Sequence, residues 1–426
     1  MKRFIKAFSL AALSAMLMIR CGNDSADNNV EVSEEKAKET STEEGSDKVS
    51  DGETELEVLI PGYESGYLKE EFDKIIGDFE KENEGVKITV LPVGWDELNS
   101  KIVQLYQADD APDIMLAGTR SLRQFSELGI VEPLDEYMSE EFIAPREKNV
   151  LETAKINGTQ YGIPFGFSSR ALFYRTDLID TPPTTWDELY ETAKKVQEEN
   201  PDIKGFAIPT DITHGADELL NFIYQAGGRV VDEEGNYTLN TPENIEAFEF
   251  LAKFGEDDLI PDPVGTKRKD LPALFQNGDI AMCIYLPMNL DVFDSNEEEN
   301  PYSTAMLPKG KEIAETLVTD SYTISSLSEN KDIAWKFIEF AGQIEYQRQI
   351  NERGWFPILT EEKEDERYQQ DLIKPFNEMI QYGVPEPHVE NWDLFNQAFT
   401  EAAQKVLTGQ ATAKEALNEA QKELTN

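Results

Sequence analysis

Short apolar strand patterns alternate with amphipathic helix patterns along most of this 426-residue chain. The first such series comprises strand patterns at 56–60, 86–90 and 113–116, with helix patterns at 68–82 and 95–108 between them. Strand–helix–strand repetition predicts an α/β fold in which helices flank mainly parallel sheets. Ligands of such sheets bind beyond the carboxyl ends of the strands, so the loops that follow the strands are candidate site segments.

The length of the chain is sufficient for two or three hydrophobic cores. Its charge is unusual, because 84 acidic residues stand against 39 basic ones and the formal net charge is −45. Nucleic acids and anionic membrane surfaces both require positive potential, so the charge argues against them as partners. Two interpretations of the acidity stay open. It is either an adaptation of the host to its medium or an acidic surface that recruits a cationic ligand.

Cysteine and histidine are scarce, which limits the chemistry available to the chain. The two cysteines, Cys21 and Cys283, are too few for a disulfide framework, and the apolar neighbours of Cys283 predict a buried thiol. No Cys/His cluster has metal-ligand spacing, and no phosphate loop or nucleophile motif is present. The sequence therefore predicts no metal, no cofactor and no catalytic residue.

The N-terminus has the pattern of an export signal over residues 1–21. A basic start precedes an apolar run at 7–19, which is too short for a membrane-spanning helix of ~20 residues. The run ends at Cys21, followed by small and polar residues, and this resembles a bacterial lipoprotein signal whose cysteine is lipidated. Arg20 departs from that pattern, which normally has a small residue there. An ordinary signal peptide with an incidental cysteine is the alternative.

An acidic segment with few large apolar side chains follows at 22–54. Such a segment cannot bury enough surface to fold, so we expect a disordered tether that self-repulsion keeps extended. The folded body is then expected to occupy residues 55–426.

Nine short motifs of the body resemble, in order and spacing, the family 1 extracellular solute-binding proteins of ABC importers, the maltose-binding-protein-like group. The resemblance covers essentially the whole of the body. The motifs lie at 158–164, 172–178, 183–189, 274–282, 306–310, 323–326, 330–337, 354–357 and 409–417.

This resemblance implies a type II periplasmic-binding-protein-like fold, in which two α/β lobes enclose a ligand cleft and the chain crosses between them three times. The crossings are expected near 164–167, 317–322 and 356–363. Lobe 1 would combine about 55–165 with 322–360, and lobe 2 about 166–318 with 364–426.

The resemblance also implies a function. The protein would be the extracytoplasmic, membrane-anchored lipoprotein component of an ABC importer, a monomer that captures a mono- or oligosaccharide by hinge closure and delivers it to the permease subunits. Three alternatives remain at this point: a receptor for a cationic solute such as a polyamine or peptide, a glycoside-acting enzyme with two carboxylates, and a surface adhesion or sensor protein.

Sugar sites combine aromatic faces with carboxylates, amides and arginines, because sugars are apolar on one face and polar at their edges. Asp320 stands out as a charge within an otherwise apolar and hydroxyl-bearing stretch. Ala117 and Met288 occupy places where maltose-binding protein has aromatic residues. The resemblance and the loop positions together predict the following ligand contacts, each with core packing or surface exposure as its alternative: Tyr63, Glu64, Thr119, Arg120, Phe167, Ser168, His214, Asp217, Tyr285, Met288, Asp320, Tyr322, Trp355, His388 and Trp392. Trp186 and Trp335 are instead expected to pack within cores.

Overall fold

The computed structural model describes residues 54–66, 68–232, 234–294 and 298–425. The predictions for the export signal, for Cys21 and for almost all of the acidic tether lie outside these residues. None of the helices in the described ranges is both long and apolar enough to cross a bilayer.

Eleven strands lie within the described residues. They are β1 Thr54–Pro61, β2 Val86–Val93, β3 Ile114–Gly118, β4 Lys155–Ile156, β5 Thr159–Gln160, β6 Ile163–Ser168, β7 Ala171–Arg175, β8 Met282–Tyr285, β9 Tyr302–Ala305, β10 Glu315–Ile324 and β11 Gly383–Pro385.

The same residues form fifteen α-helices. They are α1 Lys69–Glu82, α2 Leu98–Gln107, α3 Leu122–Glu127, α4 Glu140–Ile143, α5 Lys148–Glu152, α6 Trp186–Glu199, α7 Gly215–Gln225, α8 Pro242–Glu256, α9 Leu271–Gln276, α10 Leu290–Asp294, α11 Lys331–Ala341, α12 Ile344–Asn351, α13 Lys374–Met379, α14 Trp392–Leu407 and α15 Ala413–Thr425.

The larger sheet has the strand order β11-β10-β3-β1-β2, and β6 also pairs with β10. β1 runs parallel to β2 and β3, as the strand–helix–strand pattern predicts. β10 runs antiparallel to β3 and β6. β10 reaches the sheet from a distant part of the chain, so no crossover helix constrains its direction.

The smaller sheet has the order β8-β7-β9, and both of its pairings are antiparallel. The sequence predicts mainly parallel sheets, and this sheet is the antiparallel exception. Two isolated parallel bridges lie beside it, one between Lys204 and Ile280 and one between Ala207 and Cys283. β7 is far from β8 and β9 in the sequence, so the local alternation of strands and helices does not set the relative direction of these strands.

The three segments that were expected to cross between lobes lie side by side. β6 and β10 pair over Val318–Tyr322, and the amide of Phe356 donates to the carbonyl of Phe167 at 2.9 Å. The expected lobe boundaries at these crossings remain a prediction.

Buried tryptophans support the interpretation of the helices. Trp186, at the start of α6, stacks on Phe250 with ring centroids 4.5 Å apart, and Trp335 packs on Phe142 at 5.0 Å. Both are buried, which confirms the predicted packing role. Thr185 caps α6 by accepting a hydrogen bond from the amide of Glu188, as its sequence position predicts. Cys283 is fully buried, as expected.

Candidate functional site

Asp320 lies at the centre of β10, between two glycines of the neighbouring strands. It pairs with Gly118 at the end of β3 and with Gly166 in β6. Directly paired residues of antiparallel strands project to the same face of a sheet. Because neither glycine carries a side chain, groups from other segments can approach Asp320 on both sides.

A guanidinium group and an indole ring occupy the two flanks of Asp320. Arg120 Cζ lies 3.6 Å from the position that a Cβ atom would have on Gly118. On the other side, Trp355 Cε3 lies 3.2 Å from the corresponding position on Gly166. Predicted site residues from three distant segments thus meet on one face of the sheet.

Asp320 is 5% exposed, and within the described residues its carboxylate has no hydrogen bond or ion pair. Burial raises its pKa to about 6, although the guanidinium groups of Arg120 and Arg268 act in the opposite direction. A buried carboxylate without a partner is costly, so this group has unused capacity to accept hydrogen bonds.

Arg120 bridges this position to the C-terminal part of the chain. Its Nη1 atom lies 3.2 and 3.3 Å from the two carboxylate oxygens of Glu386, and its guanidinium carbon lies 5.1 Å from the ring centre of Trp392. Burial raises the pKa of Glu386 to about 8, and the charge of Arg120 opposes this shift. The arrangement offers charged donors and acceptors beside an aromatic face, as polar, ring-shaped ligands require.

Two more ion pairs continue the cluster on α7. Asp217 lies 3.0 Å from Arg268, and Glu218 lies 3.0 Å from Arg170. His214 begins the same helix and lies 3.8 Å from Asp217. Burial, together with the positive charge of Arg268, lowers the pKa of His214, which favours its neutral form near pH 7.

A cavity of about 760 Å³ lies on the Trp355 side of the site. Predicted residues Met288 and Trp355 line it, and Arg353 and Arg367 add charge to its wall. The Trp355 Nε1–H group is buried and has no hydrogen-bond partner within the described residues. The cavity volume is within the range of small-molecule sites, roughly 300–1,000 Å³.

Three predicted contact residues lie in packed cores instead. Phe167 stacks on Phe356, and Tyr285 lies among the rings around Phe173. Tyr322 packs against Phe165 with its hydroxyl sealed from solvent. Core packing was the alternative given for each of these residues, and their predicted contact with ligand remains a prediction.

Thr119 and Ser168 lie beside the cluster, but both are buried and already hydrogen-bonded. The Thr119 hydroxyl is 2.8 Å from that of Ser321. Ser168 Oγ accepts from Arg170 Nη1 at 2.8 Å. Their polar side chains support the framework of the site.

The remaining predicted residues have different surroundings. The Tyr63 hydroxyl pairs with Asp73 and Lys69 of α1, and Glu64 is exposed on the same loop. The carbonyl oxygen of His388 accepts from Arg123 at 3.1 Å. This hydrogen bond links the backbone of His388 to α3.

The site also contains charged residues that the sequence did not predict, and most of them are ion-pair partners of predicted residues. Glu386, between two prolines and two positions before His388, shares a predicted loop and could have been included. Arg268, Arg170 and Glu218 had no comparable signal, because ion pairs between distant segments leave no local pattern. Asp96, 3.8 Å from His214, likewise gave none.

Comparison with known proteins agrees with this fold. Residues 65–348 match the family model described as bacterial extracellular solute-binding protein. A protein of Brucella abortus (strain 2308) named as a binding protein is 28% identical over 364 residues, which are 82% of this chain and 87% of that protein. The maltotriose-binding protein of Pyrococcus abyssi (strain GE5 / Orsay) is 25% identical over 303 residues, which are 68% of this chain and 64% of that protein.

Among solved structures, the ABC substrate-binding protein of Listeria monocytogenes in complex with cycloalternan superposes with a TM-score of 0.74 at 23% identity. The match covers 88% of this chain and 98% of that one. The similarity confirms the predicted two-lobed α/β fold. Because the family model spans most of the folded body, this chain belongs to the bacterial extracellular solute-binding proteins.

Proposed function

We propose that this protein captures a carbohydrate outside the cytoplasm and delivers it to the permease subunits of an ABC importer. Two lobes, 55–165 plus 322–360 and 166–318 plus 364–426, would close around the sugar. Closure requires contacts that the open state lacks, so the ligand itself selects the closed state. The protein acts as a monomer and catalyses no reaction on its ligand.

One observation carries the proposal: the unpaired Asp320 carboxylate lies between the Arg120 guanidinium and the Trp355 indole. Carboxylate and guanidinium groups hydrogen-bond sugar hydroxyls, and indole rings contact the apolar faces of sugars. The sugar ligands named for the Pyrococcus and Listeria proteins support the same ligand class.

Thermal unfolding in the presence of candidate ligands tests the proposal. The panel contains maltose, maltotriose and cycloalternan, with putrescine, spermidine and a basic tripeptide as the cationic arm. A sugar present at 100 times its Kd should stabilise the folded protein by ~2.7 kcal/mol. A shift with the amines or the tripeptide and none with any sugar would contradict the carbohydrate assignment. Chromatography of the recovered sugar checks that it is unchanged, and a hydrolysis product would instead support an enzyme.

We also propose that Cys21 carries a lipid anchor and that 22–54 is the tether between the membrane and the folded body. Metabolic labelling with a fatty acid should mark the wild-type protein but not Cys21→Ser, which should appear in the medium. If both proteins are released unlabelled, the anchor is absent and residues 1–21 act as an ordinary export signal.

A further inference from the structure

We propose that the cavity beside Trp355 binds an acidic sugar, and that the negatively charged group of this sugar pairs with the guanidinium group of Arg367. The inference rests on the proposed function and adds the charge of the ligand to it. It depends on an arginine of the cavity wall that has no carboxylate partner within the described residues.

The cavity of about 760 Å³ lies between two distant parts of the chain. The turn after β8 contributes Met288 and Leu290 to its wall, and the connection between α12 and α13 contributes Trp355, Phe356 and Ile373. These apolar and aromatic side chains suit the apolar face of a sugar ring.

The Trp355 side chain is shared by the cavity and the site at Asp320. Its ring packs against Gly166, the residue of β6 that pairs with Asp320, and the same residue lines the cavity. Neither Asp320 nor Arg120 lines the cavity. The cavity therefore adds a region of ligand contact that has its own set of charged groups.

Arg367 provides the positive charge of this region. It is half-buried, and its Nη2 atom donates to the backbone carbonyl oxygens of Asn351 and Trp355. Its guanidinium carbon lies 4.5 Å from the ring centre of Tyr368. These partners are neutral, and within the described residues no carboxylate forms an ion pair with Arg367. The contacts thus hold the guanidinium group in the wall without neutralising its charge.

The other arginine of the cavity wall, Arg353, is already paired. Its Nε atom lies 2.6 Å from a carboxylate oxygen of Glu71, and its Nη2 atom lies 3.5 Å from one of Glu70. Glu352, the acidic residue of the wall, is exposed to solvent. Arg367 is therefore the group in this wall with the most capacity to bind an anion.

Glu362 acts electrostatically on Arg367 but does not line the cavity. It is 0% exposed, and each of its carboxylate oxygens accepts from Asn351 Nδ2 at 2.9 Å. The Tyr368 hydroxyl donates to the same carboxylate at 3.2 Å. The hydrogen bonds of Glu362 are thus made away from the cavity, which leaves the guanidinium of Arg367 open to a ligand on the cavity side.

An anionic group complements an arginine of this kind better than a hydroxyl group does. Hydrogen bonds from a guanidinium group to a carboxylate or phosphate are about twice as strong as those between neutral groups. The net charge of −45 opposes an anion at long range. At physiological ionic strength, however, exposed charges more than ~8 Å away are largely screened. The neighbouring guanidinium group therefore dominates for a ligand inside the cavity.

Calorimetric titration of the full-length wild-type protein tests the inference with matched pairs of probes. Glucuronate, galacturonate and digalacturonate are each compared with their methyl esters, and glucose 6-phosphate is compared with glucose. An ester keeps the ring and the hydroxyl groups but removes the charge. At least one acid should bind about 10- to 150-fold more tightly than its neutral counterpart, the range for hydrogen bonds to charged groups. The pair that shows this difference distinguishes a carboxylate ligand from a phosphate ligand.

Substitutions then assign the preference to one residue. Arg367→Gln removes the charge and should abolish the preference for the acid, whereas Arg367→Lys keeps the charge and should retain part of it. Arg229→Gln is the matched control, because Arg229 is exposed, lies over the ring of Tyr224 and does not line the cavity. It should bind as wild type does. An unchanged preference in a folded Arg367→Gln protein would contradict the role of Arg367.

The titrations separate failure of this inference from failure of the proposed function. If neutral sugars bind as tightly as the acids, or if only neutral sugars bind, the inference is wrong and the carbohydrate function stands. If no sugar of either kind binds, the proposed function itself fails. The comparison of acids with esters uses wild-type protein, so it does not depend on whether the variants fold.

Discussion

At the residue scale, the site depends on two positions that carry no side chain. Gly118 and Gly166 flank Asp320, and a Cβ on Gly166 would lie 3.2 Å from the Trp355 ring. Contacts this close require the ring or the strand to shift. The glycines let a guanidinium group and an indole ring approach the carboxylate, so they are part of the site although they offer no chemistry themselves.

A second buried carboxylate allows a pH test at the same scale. Glu315 is fully buried, and its Oε2 atom accepts from Ser169 Oγ and from the Arg170 amide, both at 2.7 Å. Its Oε1 atom has no partner within the described residues. Burial raises the pKa of Glu315 from 4.5 to about 8.

Because the folded-state pKa is the higher one, the folded state retains a proton between pH 4.5 and 8 that the unfolded state has lost. The contribution of Glu315 to the free energy of unfolding therefore falls as pH rises through this window. Glu315→Gln keeps an acceptor and cannot ionise. Its stability relative to wild type should increase between pH 5 and 8, by at most about 1.4 kcal/mol per pH unit.

Urea unfolding at pH 5, 6, 7 and 8 measures this difference. Glu249→Gln, at an exposed position of α8, is the matched control and should show little pH-dependent difference from wild type. A pH-independent difference for Glu315→Gln would mean that Glu315 is ionised in the folded protein throughout the range.

At the element scale, close helix packing imposes requirements that helical periodicity does not reveal. Gly255 lies near the end of α8, and a Cβ there would lie 1.9 Å from the carbonyl oxygen of Leu407, the last residue of α14. Backbone cannot move aside as a flexible side chain can. The contact between α8 and α14 therefore needs glycine at this position.

Two glycine-to-alanine substitutions in helices should consequently have opposite effects. Gly255→Ala should lower the free energy of unfolding by about 1–3 kcal/mol through overpacking. Gly77→Ala, on α1 with no atom within 4 Å of the added methyl group, should raise it by about 0.5–1 kcal/mol through helix propensity. Chemical denaturation of both variants decides the point, and a stabilised Gly255→Ala would show that α8 and α14 are not in close contact.

At the scale of the whole molecule, membership of the solute-binding family accounts for the two-lobed fold, while the charge of −45 is a property of this particular chain. At the candidate site, the guanidinium groups of Arg120, Arg170 and Arg268 each lie against a carboxylate. The positive charge at the site is therefore balanced by neighbouring carboxylates.

Cys283 reports on the stability of the whole fold. It is fully buried in the smaller sheet, and burial raises the pKa of its thiol. In a Cys21→Ser background, a thiol reagent should label Cys283 only when the protein unfolds. Adding the sugar at 100 times its Kd should slow labelling by about 100-fold, because the ligand lowers the unfolded population by that factor. Rapid labelling that the sugar does not affect would indicate local opening around β8.

Local patterns were sufficient for much of the architecture. The apolar alternation located β1–β3 and the first two helices to within a few residues, and Thr185 marked the start of α6. These features depend on neighbours within one turn or one strand, which the sequence displays directly. The order of the motifs was likewise sufficient to indicate the family that comparison then established.

The site required the tertiary structure, because its contacts join residues that are far apart in sequence. Arg120 meets Glu386 across 266 positions, and only the pairing of β10 with β3 and β6 brings Asp320 between its two glycines. The sequence alone determined strands and helices, and it indicated an export signal and a set of candidate site residues. Which of these residues meet, and which, like Tyr285, pack into a core, was decided only by the tertiary structure. The direction of a side chain and its ion-pair partner both depend on segments that are distant in the sequence.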